Sequence, residues 1–281
     1  MRQSFLAAAA IAALAACGQG SDEPAPAPAA AAPAEIEETA LPEAAPAPQA
    51  APSPDYAAAL ADARRPEGDV EDDEVRKAAD VLAFIGAEPG MTIVELEAGG
   101  GYYTELLSRI VGSDGKVWMQ NPAGFDSFLG DAIEQRLADG RLPNVEYMKT
   151  QFDALSAAGA SADLVTWILG PHELWFIPEG SDGFGDPETA FAEIARVLKP
   201  GGHFVALDHS AQEGAPPEVG GTLHRIDKGL IRAMAEAAGL VFVSESDVLA
   251  NPDDPRDANV FSDEWRRKTD RFLIKFQKPA G

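Results

Sequence analysis

The chain has 281 residues, of which 22 are Lys or Arg and 46 are Asp or Glu, giving a net charge of −24 at neutral pH. Binding to nucleic acid needs basic patches that neutralise phosphates, and this balance argues against such a partner. Cys17 is the single cysteine, which excludes an internal disulfide.

Met1-Arg2-Gln3-Ser4 is a short, weakly basic opening, and Phe5 to Ala13 follow as a run of small apolar residues. That run is too short to span a bilayer as a stable helix and has the layout of an export signal. Leu14-Ala15-Ala16-Cys17 resembles the lipobox of bacterial lipoproteins, which implies cleavage before Cys17 and lipidation of that residue. Gly18, where an acid would signal retention, resembles the pattern sorted to the outer membrane. The expected location is therefore the bacterial cell envelope, lipid-anchored in the membrane, on the periplasmic face of the outer membrane. Residues 18–55 are dominated by Ala and Pro, carry scattered acids and contain no Lys or Arg. Such a segment buries too little apolar surface to offset chain entropy, so it reads as a disordered tether with a reach of about 100 Å. Residues 56–281 remain, enough for one domain with a sizeable core.

Within that domain, Gly68 to Lys77 is acidic and runs into the apolar Ala78–Ile85. The acidic segment reads as a leading amphipathic helix with a solvated charged face. Thr92 to Glu97 reads as a buried strand, broken by Gly99-Gly100-Gly101 before helical residues resume at Tyr102. Glycine lets the main chain bend and lets a ligand approach its N–H groups, and the start of the next helix favours an anionic or polar ligand there. Further strands are expected near 116–120, 145–149, 163–169, 203–208, 241–247 and 271–277. Helical stretches separate most of them; the one from Glu188 stops at Lys199-Pro200-Gly201-Gly202, and another starts at Lys228. The alternation predicts an α/β fold, a Rossmann-like doubly wound sheet of seven mostly parallel strands. Leu249 to Lys268 reads as a loop-rich insert, and Phe184–Pro187 as a flexible lid near the crevice.

Val94-Glu95-Leu96 with Gly99 and Gly101, Ala162-Asp163-Leu164-Val165, and Arg196 to Gly202 resemble the class I S-adenosylmethionine-dependent methyltransferases. Pro89-Gly90-Met91-Thr92, Tyr102-Tyr103-Thr104-Glu105, Asp208-His209-Ser210 and Thr222-Leu223-His224-Arg225-Ile226-Asp227 are similar to a bacterial family usually called predicted methyltransferases. The resemblance covers roughly residues 56–281. It implies an antiparallel last strand, S-adenosylmethionine as cofactor, and methyl transfer to a small-molecule acceptor. It also implies a cofactor site built from Glu95, Glu97, Gly99, Gly100, Gly101, Tyr102, Asn121 and Asp153. Two positions depart from the pattern: Glu97 stands where methyltransferases carry a glycine, and Asn121 where they carry an acid that accepts from the ribose hydroxyls. Asn121 is expected to accept through its carbonyl oxygen, without the help of charge. Glu97 repels the cofactor's carboxylate and attracts its ammonium or sulfonium. Because S-adenosylmethionine is a cytosolic metabolite, the alternative is a non-catalytic small-ligand-binding or scaffold lipoprotein that kept the methyltransferase fold.

Strand ends of an open parallel sheet converge on one crevice, which brings His172, Asp208 and His209 together as candidate catalytic residues. His203, at a strand start, reads as structural, and His224 lies ahead of the helix from Lys228. No HExxH or cysteine pattern is present, so no metal site is expected. No protein partner is indicated.

Overall fold

A computed structural model describes residues 54–281; the signal segment, Cys17 and nearly all of the tether lie outside them. Asp55 belongs to the folded part, since its carboxylate caps the helix Tyr56–Leu60 by accepting from the Ala58 amide at 2.8 Å. Among the described residues no helix is long and apolar enough to cross a membrane.

Seven strands form one sheet: β1 (Thr92–Leu96), β2 (Lys116–Asn121), β3 (Val145–Lys149), β4 (Ala162–Ile168), β5 (Leu198–His209), β6 (Val241–Ser246) and β7 (Arg271–Gln277). Their order is β3-β2-β1-β4-β5-β7-β6. The first five pair in parallel, and β7 slots antiparallel between β5 and β6. The parallel centre is apolar because helices cover both of its faces. Trp167, Phe191, Phe204 and Phe276 fill one side, and Leu82, Ile85, Leu106 and Leu273 the other. The edge strand β6 has one solvated face, and its Val241 and Val243 are exposed. Pairing in β5 begins at Leu198, five residues before the expected start, because the chain is already extended through Pro200-Gly201-Gly202.

The leading helix forms as Glu67–Arg76, and Lys77, at a left-handed φ of +45°, separates it from a second helix, Ala78–Ile85. Two expectations fail here. The acids of the leading helix are not merely solvated: Asp73 pairs with Arg65 and Asp69 with Arg136. Nor is Phe184–Pro187 a free lid. Phe184 is 1% exposed, meets Phe125 edge-to-face at 4.8 Å, and its carbonyl accepts from the Phe152 amide. Asp186 caps the helix Pro187–Val197. Phe184→Ala is expected to cost about 3–5 kcal/mol in urea unfolding, as for other large-to-small core changes. A residue on a loose flap would leave the midpoint unchanged.

Candidate active site

The crevice opens where β1, β2, β4 and β5 end. After β1 the chain turns through Glu97 to Gly101 into the helix Tyr102–Val111, with left-handed φ at Glu97 (+50°), Gly99 (+56°) and Gly101 (+86°). Glu97 thus keeps the backbone geometry of the glycine it replaces, at a steric cost of about 1–2 kcal/mol. Its carboxylate accepts from Trp167 Nε1 at 2.9 Å, and its amide donates to Gln120. A Cβ on Gly99 would meet open space, whereas one on Gly101 would strike Arg136 and Met119. The exposed side of the cradle is therefore at Gly99. No side chain caps the helix that begins at Tyr102.

The Asn121 amide is engaged by the glycine loop itself. Its Oδ1 accepts from Gly99 N at 2.9 Å and its Nδ2 donates to Gly99 O at 3.1 Å, so both ends clamp the glycine loop. An aspartate here would set a second oxygen against the Gly99 carbonyl, which accounts physically for the neutral side chain. Asp153 accepts from the Asp186 amide and holds the turn before the helix Pro187–Val197. Tyr102 turns towards the leading helix and donates to Asp73 at 2.6 Å. Glu95 is buried beneath the loop and accepts from Thr104 Oγ1 at 2.5 Å. Arg136, which the sequence did not single out, donates to Gly100 O at 2.8 Å and pairs with Glu105 and Asp69.

The candidate catalytic trio does come together. Asp208, fully buried, accepts from His172 N and His172 Nδ1, both at 2.8 Å, and from His209 N at 2.7 Å. Its oxygens are spent on positioning the two histidines, so it is not a free base. His172 is itself buried, with Nδ1 on Asp208 and Nε2 towards Glu173 and His224. Burial alone would lower its pKa, but the Asp208 charge and hydrogen bond, with Glu173, hold it at about 10. His209 pairs with Thr269 Oγ1 at 2.6 Å; burial first, then the positive charge of His172 and nearby arginines, keeps it well below the usual histidine value. Of the three, His209 lines a cavity of about 520 Å³, together with Leu169, Phe261, Arg266, Arg271 and others. Leu169 has φ +62°, a strained conformation for a bulky residue, at the end of β4.

Two further residues complete the cluster. Glu173 and His224 lie against His172, and His224 is brought there by Gly220 and Gly221, whose missing Cβ atoms let two backbones touch. Glu173 is held at about 2: burial raises it, and the hydrogen bonds and charges of His172 and His224 outweigh that. An isolated acid in a turn carries no local signal, but the Gly-Gly pair shortly before His224 marks a close approach.

An open sheet of this order, with a glycine turn after β1 and polar side chains gathered at the strand ends, is the class I methyltransferase fold. The model of the ubiE/COQ5 methyltransferase family matches residues 72–219, and the chain belongs to that family. It is 33% identical over 125 residues to the ubiquinone/menaquinone biosynthesis C-methyltransferase of Shewanella halifaxensis, a match spanning 44% of this chain and 45% of that relative. The chain thus spans less than half the length of this relative. Among solved structures it resembles a SAM-dependent methyltransferase of Aquifex aeolicus, with a TM-score of 0.51 and 18% identity, covering 73% of this chain and 97% of that one. It also resembles phosphoethanolamine N-methyltransferase 2 of Haemonchus contortus, solved with S-adenosyl-L-methionine, at a TM-score of 0.53 and 15% identity, covering 73% and 52%. These two likenesses concern the fold.

Glu95 gives the site a pH signature. Burial, partly offset by the Thr104 hydrogen bond, raises its pKa to about 8 from the usual 4.5. Between those values the folded chain keeps a proton that the unfolded chain has released, so stability present below 4.5 is lost as pH rises through about 8. Glu95→Gln carries no titrating group there. Its melting temperature is expected to gain on the wild type as pH is raised from 5 to 8, measured by thermal denaturation; parallel curves would show that Glu95 is charged in the fold.

Proposed function

We propose that the chain transfers the methyl group of S-adenosylmethionine to a small-molecule acceptor held in the cavity beside His209. One observation carries this: the Leu169–Gly170 step at the end of β4 belongs to both halves of the site. Leu169 forms part of the cavity wall, and Gly170 lies so close to Glu97 that a Cβ would collide with its carboxylate. A ligand on the glycine loop and a ligand in the cavity would meet at that step.

The residues present fit the cofactor. Gly99 leaves an open cradle, the uncapped helix start behind it suits a carboxylate, and Glu97, once ionised, would pair with an ammonium or sulfonium. Burial, then the charge of Glu173, raises the Glu97 pKa well above 4.5, a cost that a cationic ligand would relieve. When bound, the cofactor supplies an electrophilic methyl group. The chain's own part is to hold the acceptor in line with it, which is most of what such a transfer requires. His209, neutral and at the cavity wall, is the candidate to take a proton from an acceptor that must lose one. Arg266 and Arg271 line the same cavity, and Arg271 Nε is buried without a hydrogen-bond partner, which favours an acceptor with an anionic group.

Gly99→Val is expected to weaken S-adenosylmethionine binding at least tenfold in calorimetry, because it fills the cradle and strains a left-handed backbone. The protein should still melt cooperatively. Unchanged affinity would remove the cofactor from this loop. Labelling of a small molecule by radioactive S-adenosylmethionine, reduced in His209→Ala with cofactor affinity preserved, is the matching test of catalysis.

We further propose that the domain is tethered to the cell envelope through a lipidated Cys17, supported by Leu14–Cys17 and the Ala/Pro-rich segment after it. Mass spectrometry of the membrane fraction should find diacylglyceryl-modified Cys17 as the mature N-terminus. An unprocessed chain in the cytosol would overturn this.

A further inference from the structure

We infer that His172, Glu173 and His224 bind one divalent transition-metal ion of the zinc type. The facing atoms are His172 Nε2, His224 Nδ1 and Glu173 Oε1. They form a nearly equilateral triangle, with 3.3 Å between the two nitrogens, 3.3 Å from His172 Nε2 to the oxygen and 3.4 Å from His224 Nδ1 to the oxygen. These separations are at the long end for hydrogen bonds, whose usual range is about 2.7–3.2 Å. They match a tetrahedron: with ligands about 2.0–2.1 Å from a central zinc, the edges are roughly 3.3–3.4 Å. An octahedral face with those bond lengths has edges of about 2.9–3.0 Å and fits less well.

The surroundings are those of a ligating set. Asp208 accepts from His172 Nδ1, so that Nε2 is the nitrogen that faces the triangle, as carboxylates do behind metal-bound histidines. Glu173 Oε2 is buried and has no hydrogen-bond partner, so the second carboxylate oxygen is also uncommitted. The set brings one carboxylate to two imidazoles, a mixed nitrogen and oxygen donor set that suits a divalent ion. The backbone holds the arrangement without an ion. His224 sits at φ +54°, and Gly220 packs against the His172 carbonyl. Arg225, fully buried, anchors the next position through Asp254, Ser210 O and Ala258 O. Two nitrogens and one carboxylate leave a fourth position without a protein ligand from this triad, the pattern of zinc sites that act on a substrate.

The test needs no cofactor and no activity, so its outcome is independent of the methyl-transfer reading. Untagged full-length protein is stripped with chelator, incubated with Zn²⁺, desalted, and its metal content measured by atomic emission. Co²⁺ titration followed by visible absorption gives the affinity and the geometry. About one equivalent of zinc per chain is expected, with the strong visible bands of four-coordinate cobalt. His224→Ala and Glu173→Gln should each weaken Co²⁺ binding about 100-fold or more. Asp208→Asn should weaken it about 10–100-fold, and His203→Ala, outside the cluster, should bind as the wild type does. Glu173→Gln preserves the side chain's shape and keeps the test decisive if His224→Ala does not fold. Retention of much less than one equivalent by the wild type, or wild-type affinity in Glu173→Gln, would overturn the proposal.

Discussion

The Asp208 carboxylate organises one half of the crevice. It is fully buried at the end of β5, and three N–H groups converge on it: the His172 amide, the His172 ring and the His209 amide. A buried carboxylate without partners would cost several kcal/mol, and three donors remove that cost while fixing two residues. From His172 the order passes to Glu173 and His224, and from His209 to Thr269 at the foot of β7. The antiparallel insertion of β7 between β5 and β6 is what delivers Thr269 to this point.

The other half depends on Glu105. Its buried carboxylate meets Arg109, Arg136 and Arg141, and Arg136 reaches on to the Gly100 carbonyl and to Asp69. The three guanidiniums hold its pKa below the usual value although burial by itself would raise it. The network ties the glycine turn to the acidic helix Glu67–Arg76, which explains why that helix stays on the domain with no buried residue of its own. Losing Glu105 would leave Arg141 without a carboxylate and Arg109 and Arg136 with Asp62 and Asp69 alone, and breaking such a buried pair typically costs about 3–5 kcal/mol.

The sheet was legible in the sequence because its evidence is local. Strands buried on both faces read as apolar runs, and Gly99 to Gly101 announces a sharp turn whatever surrounds it. The break at Lys77 was not legible, since a left-handed lysine has no compositional mark. The engagement of Asn121 was not legible because the groups that bond its amide are on Gly99, 22 positions away. Phe184 was misjudged because flanking glycines suggested mobility, while its burial depends on Phe125 and Phe152. Asp208 and the histidines were identified from strand ends alone; their division into a positioning acid, a buried ring and a cavity-facing ring needed the third dimension.

The bond between Trp167 and Glu97 gives the protein an optical consequence. The indole of Trp167 is wholly buried in the aromatic core, and its N–H is held by the carboxylate of the glycine turn. Indole emission shifts with the charge and distance of a group on that nitrogen. A cation arriving beside Glu97 alters both, so the chain carries its own fluorophore at the seam between core and crevice. Trp167, one of four tryptophans in the chain, would report there on the state of Glu97 without any added dye.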